Sequence, residues 1–444
     1  MRSLALIVSV LALHGIQLAG AAPTSRRSAS LPSKPSSKHL RPVLERRGSP
    51  GFAQAQPFDG TKGGPISGGT NQALDLQNPA NLGQESTDNG NVVNLKWSFS
   101  DSKTRLLNGG WVREQVITDL PSSTTIAAAQ QHLEKGAIRE LHWHRVAEWG
   151  YVYKGQIQVF ATDENGRNQV ETLNEGDIWY FPKGEAHGIQ GLSDENEYLL
   201  AFDDPNFDAS GTTFMVDDWI SHTPKDILAR NFGVDPSVFS TIPSPNPYIL
   251  NATIVEEETS SPNGKLDGAL SYVYKASQVP ATKAAGGGGS IKIVDSTNFP
   301  VAKTIAAAIV TLQPGALREL HWHPNAEEWL YFVQGNARAT AFIGGAAART
   351  FDFTAGDTAV FPDNAGHYVE NRSKNETLGR LKILRLLRTK FFLVWIELYR
   401  SDRVVDISLT QWLALTPVHV VASVLKIPES VVRNLKKEKQ LILA

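Results

Sequence analysis

Two histidines one residue apart, with a glutamate four residues after the second, form a ligand pattern. His142, His144 and Glu148 stand this way in residues 136–155, GAIRELHWHRVAEWGYVYKG. On an extended strand successive side chains point to opposite faces, so His-Trp-His offers both imidazoles on one side and leaves Trp143 to pack on the other. After a short turn, Glu148 returns a carboxylate to the same place. Neutral imidazoles and a carboxylate suit a divalent metal ion. The chain writes the pattern twice: residues 315–335 read GALRELHWHPNAEEWLYFVQG and carry His321 and His323. Here two glutamates compete, Glu327 and Glu328. Because Glu148 to Gly155 matches Glu328 to Gly335, and Trp149 matches Trp329, Glu328 is the equivalent residue. The same comparison gives a fourth ligand in each copy: Gly176 to Pro182 precedes His187, and Gly356 to Pro362 precedes His367. A lone histidine in a barrel is ordinarily a hydrogen-bonded core or surface residue. Six of the 11 histidines in two parallel sets do not fit that description, and two metal sites follow.

Such ligands need strands to hold them. From Val92 onward, short runs rich in Val, Ile, Tyr and Phe alternate with Gly, Asn and Asp turns, as where Tyr151 to Ala161 precedes Asp163-Glu164-Asn165-Gly166. That texture predicts an antiparallel barrel or sandwich. Thr223-Pro224 predicts a helix N-cap followed by proline at the first helical position, with more helix near Pro236 to Phe239. The signature recurs at Thr416-Pro417, followed by apolar helical patterns at Val420 to Leu425 and Pro428 to Leu435. The expected architecture is therefore dominated by β structure: two barrels, each closed by a short C-terminal helical appendage. A length of 444 residues agrees, being more than one core usually organises. We divide the chain into residues 91–243 and 244–444, with the division near Pro243 and a flexible tract at Gly286 to Gly289. Residues 51–90, dense in Gly, Pro, Asn and Gln, form an extended arm.

Composition narrows the function. With 43 basic and 45 acidic residues and a formal net charge of -2, nucleic acid and anionic membranes are not expected partners. The absence of cysteine excludes disulfides and thiolate metal ligands. Residues 1–22 have the charged start, short apolar core and small-residue exit of a secretory signal, and residues 23–50 read as a disordered or removed pro-segment. The mature protein is thus expected to be secreted. Export makes the acceptor patterns at Asn251, Asn371 and Asn375 usable for N-glycosylation. Association into a homo-oligomer is left open.

The spacing Gly-x5-His-x-His-x3,4-Glu-x6-Gly, followed by Gly-x5-Pro-x-Gly-x2-His, resembles the two motifs of the cupin superfamily. The departures are Asn364, where the second motif of the second copy would have glycine, and Gly191, where the first copy would usually show Asn. The doubled RELHWH, the preceding arm and the Trp-x3-Thr-Pro helix starts resemble the bicupin oxalate decarboxylase and oxalate oxidase family across nearly all the chain after residue 60. The resemblance implies two jelly-roll barrels, each holding manganese, through His142, His144, Glu148 and His187 and through His321, His323, Glu328 and His367. It implies oxalate as substrate and dioxygen as co-substrate or catalytic cofactor. Arg139 and Arg318 would bind and polarise oxalate. Strict alternation would place Glu140 rather than Arg139 on the ligand face, so that role requires a bulge before His142.

In this family the residual formyl-like radical either receives a proton, giving formate, or is oxidised, giving peroxide. The acid is a lid glutamate, and the matching lid here, Asp208-Ala209-Ser210-Gly211-Thr212-Thr213, has none. Asp208 is the nearby carboxylate. Decarboxylation is the first expectation and oxalate oxidation the alternative. A storage or binding bicupin is the more distant one, set against both ligand sets being intact; an enzyme acting on another small acid or ketone is the competitor within catalysis. The second-site carboxylate would be Glu397, displaced by an irregular insertion at about 379–395 for which an artefactual splice junction is the favoured explanation.

Overall fold

The computed structural model describes residues 58–59, 62–63, 87–254, 259–373 and 392–444. The expected export signal, the pro-segment, most of the arm, Asn375 and the bulk of the insertion lie outside the described residues. Among the described residues strands dominate, and they form two barrels, each made of a six-stranded and a seven-stranded antiparallel sheet.

In the first barrel the smaller sheet runs Asn168–Asn174, Gln156–Thr162, Ala186–Gly191, Ile138–His144 and Thr213–Met215, with Ile249–Leu250 also on the ligand strand. The larger sheet centres on Glu148–Lys154, Glu195–Phe202 and Ala127–Glu134. The second barrel repeats this with Leu317–Trp322 as ligand strand and with Glu328–Gln334, Leu393–Tyr399 and Ala306–Leu312 in its larger sheet. Alternation explains the layers. Along Gln156–Thr162 every second residue is buried, and Ile157, Val159 and Ala161 join Val112, Leu133 and Leu173 inside the first barrel.

The larger sheets are buried on both faces, because they pack against each other. Trp149, Trp329, Ala128 and Ala307 share one cluster there. Trp329 Nε1 donates to Gln115 Oε1 at 2.8 Å, and Gln130 Nε2 donates to Tyr331 Oη at 2.5 Å. Glu327 serves the same junction. Its carboxylate accepts from Thr124 Oγ1 at 2.7 Å and from the Thr125 amide at 2.8 Å, so it faces the first barrel and leaves Glu328 to the second site.

Three expectations change, and edge strands pair across the division near Pro243: Val273–Tyr274 extends the first barrel's larger sheet beside Ile178–Phe181, while Lys96–Ser98 extends the second barrel's beside Asp357–Phe361. Each barrel takes an edge strand from the other's sequence half, which covers an otherwise open edge. The Gly286 to Gly289 tract is no free linker. A Cβ on Gly286 or Gly288 would collide with the carbonyls of Ile442 and Leu443, so glycine is required by the close crossing of the C-terminal strand. Thr223 does not cap the helix after it. Its hydroxyl bonds back to the Trp219 carbonyl at 2.8 Å and Pro224 takes the cap position of Lys225–Phe232; Thr416 repeats this on Trp412 at 2.9 Å. Asn371 is no glycan acceptor in the folded protein, since its side chain is buried and donates to the carbonyls of Leu312 and Gln313. Asn251 is exposed.

Candidate metal centres

His142 and His144 leave one face of Ile138–His144, His187 comes from the neighbouring strand, and Glu148 opens the facing strand of the larger sheet. The four ligand atoms lie within 4.8 Å of one another, as do those of His321, His323, Glu328 and His367. All eight residues are buried. Trp143 takes the opposite face, stacked on Phe214 with ring centroids 5.5 Å apart.

The outer ring nitrogens fix the tautomers. His142 Nδ1 lies 2.6 Å from the Glu140 carbonyl, His187 Nδ1 2.8 Å from that of Glu185, and His321, His323 and His367 face the carbonyls of Glu319, Val405 and Ala365. A carbonyl only accepts, so these Nδ1 atoms carry the proton and each Nε2 presents its lone pair inward. His144 Nδ1 meets the Thr213 hydroxyl at 2.9 Å.

Burial and the Arg139 charge push His142 well below its usual range, and burial brings His144 down to about 4. Burial works to raise the Glu148 carboxyl, yet His187 and His144 hold it well below the ordinary carboxylate range. Neutral imidazoles around an ionised carboxylate are the protonation state a divalent ion needs. His321 Nε2 is buried without a hydrogen-bond partner, and His187 Nε2 and His367 Nε2 meet only the ligand carboxylates, at 3.5 and 2.6 Å. Buried polar atoms without partners are costly, and a cation at the centre of each set would satisfy them. The donors therefore fit a metal ion at both sites.

The required bulge is present in both ligand strands. His142 stands opposite His187 and Arg139 opposite Ile189, three steps against two, and Arg318 and His321 repeat this against Val369 and His367. The extra residue turns each arginine onto the ligand face. Arg139, Gln131, Ala129, Leu200, Phe202, Phe207 and Tyr248 join the ligands around a chamber of about 10 Å³, room for about one water.

The arginines are held differently. Arg139 Nη1 donates to the Tyr248 carbonyl and lies near Met215 Sδ, both at 3.4 Å, and its Cζ stacks 3.7 Å from the Tyr248 ring centroid. Arg105 also packs on this ring, with its Cζ 4.1 Å from the centroid. None of these partners is a carboxylate. Arg318 instead donates through Nη2 to Asp406 at 2.7 Å, with Glu397 Oε1 3.9 Å from its Nε. Glu397 does reach the second site. It stands opposite Ala308, where Leu200 stands opposite Ala129 in the first barrel, and Tyr399 takes the place of Phe202. Burial, with the Glu328 charge, pushes Glu397 up to about 7, and Tyr399 Oη donates to it at 2.7 Å.

Asp208 is not brought in. It is exposed and does not line the chamber, whereas Phe207 does, stacked on Phe202 at 4.0 Å. Sequence reasoning missed Tyr248 and Gln131, which lie far from the ligands along the chain, and Trp179, whose Nε1 donates to Glu148 Oε1 at 2.9 Å. Trp179 stood within the repeated Gly-Asp segment, where Ala359 faces it in the other copy, and that mismatch was the available signal.

The family described as Cupin matches residues 99–239 and 277–379. A probable oxalate decarboxylase of Arthroderma benhamiae is 57% identical over 396 residues, covering 89% of this chain and 94% of the relative. A structure described as concerning the Mn(II) centres of Bacillus subtilis oxalate decarboxylase superposes with a TM-score of 0.79 at 40% identity, covering 88% of this chain and 99% of that one. A variant of the same enzyme in which the residues SENS are replaced by DSSN gives 0.78 at 41% identity, with 87% and 98% covered.

Proposed function

Since the chain belongs to the cupin family, and within it to the oxalate decarboxylases, we propose that it is a manganese-dependent enzyme that converts oxalate to formate and carbon dioxide. The observation that carries this reading is the first chamber. It sets four converged ligands beside an arginine that forms no ion pair among the described residues, Glu114 and Glu140 acting on it only at longer range. In the second site Arg318 is balanced by Asp406, so the first site is the better receptor for a small dianion.

Manganese bound by His142, His144, Glu148 and His187 would supply a Lewis-acidic position for a substrate oxygen and a one-electron couple with dioxygen. The protein does the rest. Arg139 binds and orients the far carboxylate through its fork of donors. Phe207 and Phe202 close the chamber against water, and room for about one water means that the lid must move to admit oxalate. The reaction takes hydrogen oxalate to formate and carbon dioxide. The proton removed at the outset must return to the carbon left after one carboxylate departs.

One observation favours a second reading. Apart from the ligand Glu148, no carboxyl group lines the first chamber, and the lid from Asp208 to Thr213 has no glutamate. As a string, Asp208-Ala209-Ser210-Gly211 shares its first and third residues with DSSN and none with SENS. Without a returned proton the product balance is that of an oxalate oxidase: oxalic acid and dioxygen give two carbon dioxide and hydrogen peroxide. Incubating the manganese-loaded protein with oxalate in air at acid pH, with formate and peroxide measured together, decides between them. Formate without peroxide supports decarboxylation, peroxide with little formate supports oxidation, and neither product removes oxalate from the account. Ala209→Glu should raise the formate share; an unchanged ratio defeats the lid argument.

Export by way of residues 1–22 belongs to the same proposal. So does self-association, for which exposed Trp412, Leu415 and Val424 on the second appendage provide an apolar surface.

A further inference from the structure

Gln131 is fully buried on the strand Ala127–Glu134 and lines the first chamber. Its Oε1 accepts the Tyr198 hydroxyl at 2.6 Å, while its Nε2 has no hydrogen-bond partner. A buried amide N–H without an acceptor is unfavourable, and such groups in folded proteins call for an explanation. The neighbouring barrel shows that the fold does not require one. The residue pair in Gln131–Tyr198 register there is Val310–Trp395, with no amide. The polar pair is therefore particular to the chamber that also holds Arg139.

The Tyr198 hydroxyl is the donor and the amide oxygen its acceptor, which leaves Nε2 as the open end of a side chain that lines the chamber. The opposite flip would aim a bare carbonyl oxygen into a space already bearing the Glu148 carboxylate.

We propose that Gln131 is a substrate-binding residue of the first site, its Nε2 donating to a carboxylate oxygen of a small dicarboxylate that Arg139 holds at another point. Tyr198 is a positioning residue that fixes the amide. This deepens the oxalate reading and rests on it. The second barrel lacks the donor, so a dianion that enters it finds neither the amide nor an uncommitted guanidinium.

The test is the double variant Gln131→Met with Tyr198→Phe, which replaces both polar groups with apolar ones of similar size. Because a buried pair replaced in this way is nearly neutral or stabilising, the melting temperature should hold or rise. Oxalate affinity of the manganese-loaded protein, measured by calorimetry without dioxygen, should fall by about 10- to 150-fold, the loss expected for one hydrogen bond to a charged acceptor. In turnover the loss should appear in KM more than in kcat. Tyr198→Phe alone should weaken binding less than the double variant. Unchanged oxalate affinity with a lowered melting temperature would assign the pair to packing and overturn the proposal. Absence of oxalate binding by the wild type would also overturn it. Wild-type binding without formate or peroxide would sink only the reaction assigned above.

Discussion

Trp179→Phe should weaken metal binding at one centre and leave the other untouched. Trp179 is fully buried, and its Nε1 donates at 2.9 Å to Glu148 Oε1, while Glu148 Oε2 faces His144 at 3.1 Å and His187 at 3.5 Å. The indole thus fixes the carboxylate rotamer that aims Oε2 at the ion. A hydrogen bond to a charged acceptor contributes about 1.5–3 kcal/mol, which corresponds to about 10- to 150-fold in affinity. Loss of an outer partner of a metal ligand typically costs about 10- to 100-fold, the same range. The second centre is an internal control. There Ala359 occupies the register position of Trp179, and Leu330 that of Gly150, so side-chain bulk is exchanged between the two positions and no indole reaches Glu328. The assay is a chelator titration of the manganese-loaded protein with retained metal counted per chain. One equivalent should leave at about 10- to 150-fold weaker chelation than in the wild type, and the other at the wild-type point. Unchanged release of both equivalents, or an equal shift of both, would refute the reasoning. A thermal melt of the same variant separates lost packing from lost coordination.

Two further expectations follow from the same geometry. Glu327→Ala removes the acceptor shared by Thr124 and Thr125 and should destabilise the fold by about 1.5–3 kcal/mol in denaturant unfolding, with both metal equivalents retained; loss of metal would mean that the register separating Glu327 from Glu328 is wrong. For the metal-free protein, burial brings His144 down to about 4 from an ordinary 6.5, so between those values the unfolded chain binds more protons than the folded one. The contribution of His144 should therefore fall as pH drops from about 6.5 towards 4, and the depressed Glu148 carboxyl acts in the same direction below about 4.5, whereas Glu140 and Glu397, both raised to about 7, act in the opposite direction over that interval. Melting temperatures of the chelated protein and of its His144→Gln variant across that interval check the sign: the wild type should lose stability towards acid pH relative to the variant, and an unchanged or reversed difference would contradict it.

What could be read from the sequence was whatever a short local period or an internal repeat encodes. The ligands were legible because His-x-His has strand alternation built in and because the second copy repeated the register, which even separated Glu328 from Glu327. Arg139 was harder, since alternation alone pointed to Glu140 and only the bulge, a property of strand pairing, reverses that. The exchange of Lys96–Ser98 and Val273–Tyr274 between barrels was not legible at all. An edge strand of two or three residues carries no periodicity, and its partner is chosen by which sheet edge lies open. The glycine tract failed for a related reason: glycine reads as freedom in a sequence, but at Gly286 and Gly288 it marks a backbone crossing too close for any side chain.

The repeat that revealed both centres also concealed how they differ. Ligand for ligand the sites match, and a reading confined to the ligands predicts two equivalent catalysts. Their surroundings have separated in charge. At the second site a carboxyl held near 7, its tyrosine and Asp406 surround the arginine; at the first, Leu200 and Phe202 stand in the register positions of Glu397 and Tyr399, and the guanidinium rests on the Tyr248 ring without an ion pair. A dianion brought beside Arg318 must compete with Asp406, whereas beside Arg139 it meets no such rival. The same exchange leaves the first chamber, among the described residues, with no lining carboxyl beyond Glu148, so on the proposed reaction the proton returned to carbon has to come from outside the chamber.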